Sequence, residues 1–134
     1  MAAAAKSRTA RKRLLLVKEA GAARSAARVC LQSAGYQVDE APDAASALLR
    51  LARRRGRYAL IVVDLAASDD KGLVEAARGG DPRLPVVVVV PAEAPRRSRR
   101  KGVAHVRRPF TTEEIQEAMA RAMAEDSRPP SAAR

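Results

Sequence analysis

The sequence predicts an α/β domain on a parallel sheet of five strands, and three observations carry that prediction. Short apolar runs alternate with segments of helical periodicity through the middle of the chain. Two of the runs, Ala59–Val63 and the five valines Val86–Val90, are apolar throughout, as in strands buried on both faces. The connections are short, which in alternating strands and helices favours crossovers within one doubly wound sheet.

Residues 1–12 read as a disordered basic arm, 13–125 as one domain, and 126–134, ending SRPPSAAR, as a disordered tail. Leu14–Val17 is the first strand. The next segment spaces Ala22, Ala26, Val29 and Cys30 along one helical face, and Gly35 ends that helix. Tyr36–Glu40 is the second strand. Asp43 caps a helix with the apolar stripe Ala44, Ala47, Leu48 and Leu51, closing in Arg53, Arg54 and Arg55.

The third strand, Ala59–Val63, runs into Asp64, a polar loop and a short helix from Gly72 to near Arg78. Val86–Val90 is the central strand and Ala104–Arg107 a fifth. Between them, PAEAPRRSRRKG holds Pro91, Pro95 and the bases Arg96, Arg97, Arg99, Arg100 and Lys101, which predicts a shortened fourth helix. Thr111 and Glu114 form a capping box worth about 1 kcal/mol. The helix it opens turns Ile115, Ala118, Met119, Ala122 and Met123 inward.

Composition bounds the function. The chain has 134 residues, a formal charge of +11 and only 2% aromatics, so a cationic surface surrounds a core of small side chains. Cys30 is the single cysteine, which excludes an intrachain disulfide and fits a reducing cytoplasm. No apolar run approaches the roughly 18 residues of a membrane span. His105 is the single histidine, which excludes a multi-histidine metal site and nearly excludes a hydrolase with a histidine base. Neither phosphate-binding glycine motif is present. No enzyme is expected.

In a parallel sheet the carboxyl ends of the strands share one rim, where chemistry collects. That rim receives Lys18 and Glu19, then Asp64, then Arg107 and Arg108. Asp64 is the candidate reactive carboxylate, and two acids facing cations suit a phosphate or metal site.

At these residues the chain resembles the receiver domain of bacterial two-component response regulators. RLLLVKEAG is similar to the segment that carries the family's acidic pair, and GYQVDEAPDAASALL to its second strand and helix. DLAASDDKG resembles the phosphoacceptor loop, LPVVVVVPA the fourth strand, and VRRPF the fifth strand with its lysine-proline-phenylalanine motif. The resemblance runs from about Leu14 to Ala124. It implies a flavodoxin-like sheet ordered 2-1-3-4-5 with helices on both faces. It also implies phosphorelay signalling with Asp64 as phosphoacceptor and a magnesium ion held by Glu19 and Asp64.

The departures from the family fall on the chemistry. Lys18 replaces the first acid of the pair, Val90 the hydroxyl residue that ends the fourth strand, and Arg108 the lysine of the last motif. His105 stands at the switch aromatic and Ser68 at the loop's usual proline. Two unit charges ~4 Å apart interact by about 4 kcal/mol at an effective dielectric near 20. A millimolar site has only about 4 kcal/mol of binding free energy. An ammonium in place of a carboxylate therefore opposes magnesium, unless Lys18 swings into solvent, and Lys18 and Arg108 are expected instead to neutralise Asp64 and Glu19.

The expected protein is a stand-alone, degenerate receiver of the cytoplasm, monomeric or weakly dimeric. Its expected partner is a histidine kinase or another signalling protein. The run Arg96, Arg97, Arg99, Arg100 and Lys101 is the candidate partner surface. The alternative is a basic nucleic-acid-binding protein on the same fold, whose scarcity of aromatics argues against base stacking.

Overall fold

The computed structural model describes residues 12–18, 26–53, 58–64, 67–93 and 101–127. The basic arm through residue 11, the tail from 128, and Glu19, Arg54, Arg55, Arg96, Arg97, Arg99 and Arg100 lie outside the described residues. Five strands form one parallel sheet: β1 Arg13–Lys18, β2 Gln37–Ala41, β3 Tyr58–Asp64, β4 Val86–Val90 and β5 Val103–Arg107. Their order, β2-β1-β3-β4-β5, is the expected one. Four helices are described: α1 Ala26–Ser33, α2 Ala44–Arg53, α3 Ala67–Gly80 and α4 Thr112–Ser127. Residues 94–100, where most of the shortened fourth helix was expected, are not among those described.

Side chains alternate across a strand, so each central strand supplies both faces of the sheet. Leu15, Val17, Ile61, Val63, Val86 and Val88 pack with Ala47 of α2 and with Leu73, Val74 and Ala77 of α3. Leu14, Leu16, Leu60, Val62, Val87 and Val89 face Ala27 and Leu31 of α1 and Ile115, Ala118, Met119 and Ala122 of α4. This double burial is why β3 and β4 read as unbroken apolar runs.

The helix signals map onto hydrogen bonds. Thr111 and Glu114 close their box at 3.0 Å in both directions. The Ser46 amide donates to Asp43 Oδ1 at 2.7 Å, capping α2, and its stripe packs inward as expected. After α1, Gly35 takes φ 96°, with its amide on Gln32 O at 3.0 Å and the Tyr36 amide on Leu31 O at 3.4 Å. That paired closure needs a residue in the left-handed region, which glycine supplies. Cys30 packs against the core, and its Sγ lies 3.1 Å from Thr112 Oγ1, joining α1 to the start of α4.

Two helix readings need correction. Val29, expected on the inner face of α1, is 62% exposed, and the buried face is Ala27 and Leu31 with Cys30 beside them. Alanines on every side of this segment give no contrast between faces, so the stripe was set one residue out of register. α3 begins at Ala67 rather than Gly72. Ser68, Asp69 and Asp70 have the composition of a turn. Acids are equally suited to the first turn of a helix, where they meet the positive end of its dipole. α4 also continues to Ser127, past the boundary expected at 125.

At the amino-terminal ends of the strands, Arg13 donates to Asp39 Oδ1 at 2.8 Å and to Gln37 Oε1 at 2.9 Å. The Tyr58 hydroxyl donates to Asp39 Oδ2 at 2.6 Å. This set joins β2, β1 and β3. Further along the same end, Gly102 has φ 77°, and a Cβ there would lie 2.6 Å from Arg78 Nη1. Arg78 lies over that backbone and donates to Pro82 O at 2.7 Å.

Two outcomes check these elements. Leu31→Ala is expected to cost about 2–5 kcal/mol in urea unfolding, and Val29→Ala less than about 0.5 kcal/mol. Equal costs would mean that the α1 register described here is wrong. The second concerns pH: hydrogen bonds from Ser46 hold the Asp43 carboxyl below its ordinary pKa. Its stabilising effect is complete above the ordinary carboxylate pKa and is lost as pH falls through the lowered folded-state value. The stability gap between the wild type and Asp43→Ala should therefore narrow in acid, while Asp43→Asn, which keeps the cap, holds its gap over Asp43→Ala.

Candidate functional site

Parallel pairing brings the predicted rim residues to one end of the sheet. Lys18 and Asp64 are register partners at the ends of β1 and β3, and Val90 and Arg107 at the ends of β4 and β5. The chain then turns at Arg108, whose amide donates to Val90 O at 2.8 Å, and passes through a cis bond to Pro109. The Arg108 side chain reaches back past the end of β4 to Asp64.

The Asp64 side chain is 10% exposed. Arg108 Nη2 donates to its Oδ1 at 2.7 Å, and Lys18 Nζ lies 3.6 Å from its Oδ2. Each carboxylate oxygen therefore has a cation of the chain itself. The arginine bond is short and charge-assisted; the lysine contact is an ion pair at a longer distance. A carboxylate this deeply placed needs such compensation, because an unpaired charge out of water is strongly unfavourable.

Val90 ends β4, and His105 lies two residues before the end of β5. Val90 is buried and offers no hydroxyl. His105 lies half-buried on β5, and its carbonyl accepts from Arg121 Nη2 at 3.5 Å. Arg107, placed on the rim by sequence, has a role that sequence did not disclose. Its Nη1 donates to Ala92 O at 2.9 Å and to Pro91 O at 3.5 Å, so β5 holds the segment that leaves β4. Backbone carbonyls of a loop carry no residue-type signal, which is why no motif pointed to this contact. Lys101, the one described member of the candidate partner run, is exposed.

The magnesium ion that the resemblance implies does not fit the described side chains. Oδ1 of Asp64 is taken by Arg108, and an ion on Oδ2 would meet the Lys18 ammonium. Among the described residues no group of three potential metal-ligating side chains occurs.

If the two cations compensate Asp64, removing one should be felt in folding. Arg108→Ala is expected to lower stability by about 1–3 kcal/mol, as for a hydrogen bond to a charged group. In the Asp64→Asn background the same substitution should cost clearly less, a coupling that a double-mutant cycle reads directly. Strict additivity would show that the Arg108–Asp64 contact contributes nothing.

No protein-family model and no curated protein sequence matches the chain. Solved structures do. The receiver domain of the hybrid histidine kinase CckA is similar with a TM-score of 0.67 and 26% identity, over 83% of this chain and 98% of that one. A sensor protein from Polaromonas sp. JS666 gives 0.71 and 25% identity, over 87% of this chain and 99% of that one. A response regulator receiver protein from Sinorhizobium medicae WSM419 gives 0.69 and 18% identity, over 87% and 98%. These neighbours match in fold across nearly their whole length, and the rim of strand ends described above is where the resemblance put the phosphoacceptor. The chain has the fold of a response-regulator receiver domain.

Proposed function

We propose that this protein is a receiver-like component of a two-component signalling pathway that acts through protein contacts, with Asp64 silent as a phosphoacceptor. The single observation that carries the reading is the occupation of both Asp64 carboxylate oxygens by Arg108 and Lys18. Attack on a phosphodonor requires an accessible carboxylate oxygen and a cation to neutralise the incoming phosphoryl group. Here the cations are spent on the ground-state carboxylate, and this pairing would have to be broken first. Val90 adds to the case, since it has no hydroxyl to bond a phosphoryl oxygen.

In this reading the protein is not an enzyme and works in the cytoplasm as a monomer or weak dimer, exchanging signals with a histidine kinase or another signalling protein. No described helix is long and apolar enough to cross a membrane. The excess of 26 basic over 15 acidic residues favours an acidic docking partner. The same excess supports a second reading, a nucleic-acid-binding protein on this fold. A steep fall in duplex affinity with salt, reduced by neutralising Arg96, Arg97, Arg99, Arg100 and Lys101, would favour that reading.

The decisive measurement is intact mass after incubation with a small phosphodonor and magnesium, with Asp64→Ala alongside. No adduct on the folded protein is the expected result. A phosphate adduct that disappears in Asp64→Ala would overturn the silent reading and leave a working receiver.

A further inference from the structure

We infer that the Lys18 ammonium is the permanent substitute for a divalent cation at this rim, and that Lys18 alone decides whether the site can bind one. The inference rests on the reading of Asp64 as a silent receiver aspartate and assigns the residue that silences it.

The argument begins with geometry. Lys18 and Asp64 are direct register partners on adjacent parallel strands, so the lysine's position is fixed by the sheet and not by a mobile loop. Its Nζ faces Oδ2, the one carboxylate oxygen that Arg108 does not hold. A metal ion approaching Asp64 has only that oxygen to use, and the ammonium is already beside it. The Lys18 side chain is 22% exposed and that of Arg108 43%, so the lysine is the less solvated of the two cations and the less screened. Arg108 sits on the far oxygen and on the more open side.

The two kinds of cation also behave differently. A bound ion leaves at a rate and to an extent set by its concentration, whereas an ammonium on β1 is present at unit stoichiometry in every folded molecule. The charge at the rim is thus independent of the divalent-ion level, and Asp64 is held in one state. Reversing the charge at position 18 changes three things together. It removes the ammonium, adds a hard oxygen donor, and leaves Asp64 Oδ2 open toward that donor. Carboxylate oxygens of this kind are what magnesium takes as protein ligands.

The test is a calorimetric titration with magnesium chloride on the full chain. It compares the wild type, Lys18→Asp, Lys18→Asn and Lys18→Met, with circular dichroism confirming the fold of each. The wild type should show no saturable heat at millimolar ion, and Lys18→Asp should gain a site tighter by more than about tenfold. Lys18→Met, which removes charge without adding an oxygen, should gain less than Lys18→Asp. In melting experiments at matched ionic strength, magnesium should raise the Tm of Lys18→Asp and leave the wild type unmoved. A merely structural lysine would give no ion-specific shift. Where Lys18→Asp does not fold, Lys18→Asn, a neutral oxygen donor, serves as the second variant and should also bind more tightly than the wild type.

Saturable magnesium binding by the wild type, at an affinity like that of the variants, would overturn the inference. So would a folded Lys18→Asp or Lys18→Asn that binds no better than the wild type, since Arg108 would then be the barrier. These failures are separable from failure of the functional reading. A phosphate adduct on the wild type overturns the silent aspartate whatever the calorimetry gives, and wild-type magnesium binding overturns the substitution by Lys18 whatever the mass shows.

Discussion

A carboxylate at the end of a doubly buried strand must be compensated, and Asp64 meets that demand with groups drawn from across the sheet. Lys18 comes from the neighbouring strand, and Arg108 from beyond β5, two strands away. Strands lie about 4.8 Å apart, so the second reach is near 10 Å, which a long guanidinium side chain spans and a short polar one does not. The intervening strand ends in Val90, whose small apolar side chain offers Arg108 no competing acceptor along the way. Its carbonyl instead accepts the Arg108 amide and fixes where the arginine starts. The electrostatics of one side chain thereby constrain the ends of β1, β3, β4 and β5 together.

The opposite end of the sheet repeats the arrangement with different partners. Asp39 receives Arg13 and the Tyr58 hydroxyl, so β2, β1 and β3 are tied by one carboxylate as well. Between the two ends β1, β3 and β4 carry only Leu, Ile, Val and Ala against helices of mostly small residues. Directional polar bonds at the ends fix register, and the apolar middle supplies most of the burial. A one-residue slip of β1 would exchange the two faces of its buried run and separate Lys18 from Asp64 and Arg13 from Asp39 at the same time.

Much of this was legible in the sequence, for reasons specific to each element. β1, β3 and β4 announced themselves because burial on both faces leaves no room for polar residues, and β4 matches its valine run residue for residue. Caps were legible because Asp43, Thr111 and Glu114 bond to amides only a few residues away. The inner face of α1 and the start of α3 were misread where composition carries little contrast: alanines in one case, a Ser-Asp-Asp turn signature in the other. At the site, Asp64, Lys18 and Arg108 were found as strand-end charges. That these two cations neutralise Asp64 was expected from their charges, but which oxygen each takes, and the hold of Arg107 on Pro91 and Ala92 carbonyls, depend on contacts between positions far apart in the chain. No local pattern encodes those.

A conformational switch needs a ligand that bonds one state better than the other. In the proposed reading the usual routes for that difference are closed. The carboxylate that would carry the phosphoryl group is held from both sides, and the end of β4 has no hydroxyl to follow it. The segment leaving β4 is anchored by Arg107 through backbone carbonyls, acceptors whose strength does not change with the state of Asp64. Signals arriving at the rim as charge therefore have little to act on. What remains able to discriminate between states is a partner that touches the surface, where net positive charge sets the sign of the attraction. On that proposal, a receiver fold whose rim charge is neutralised from within the chain has its specificity in the surface it offers a partner.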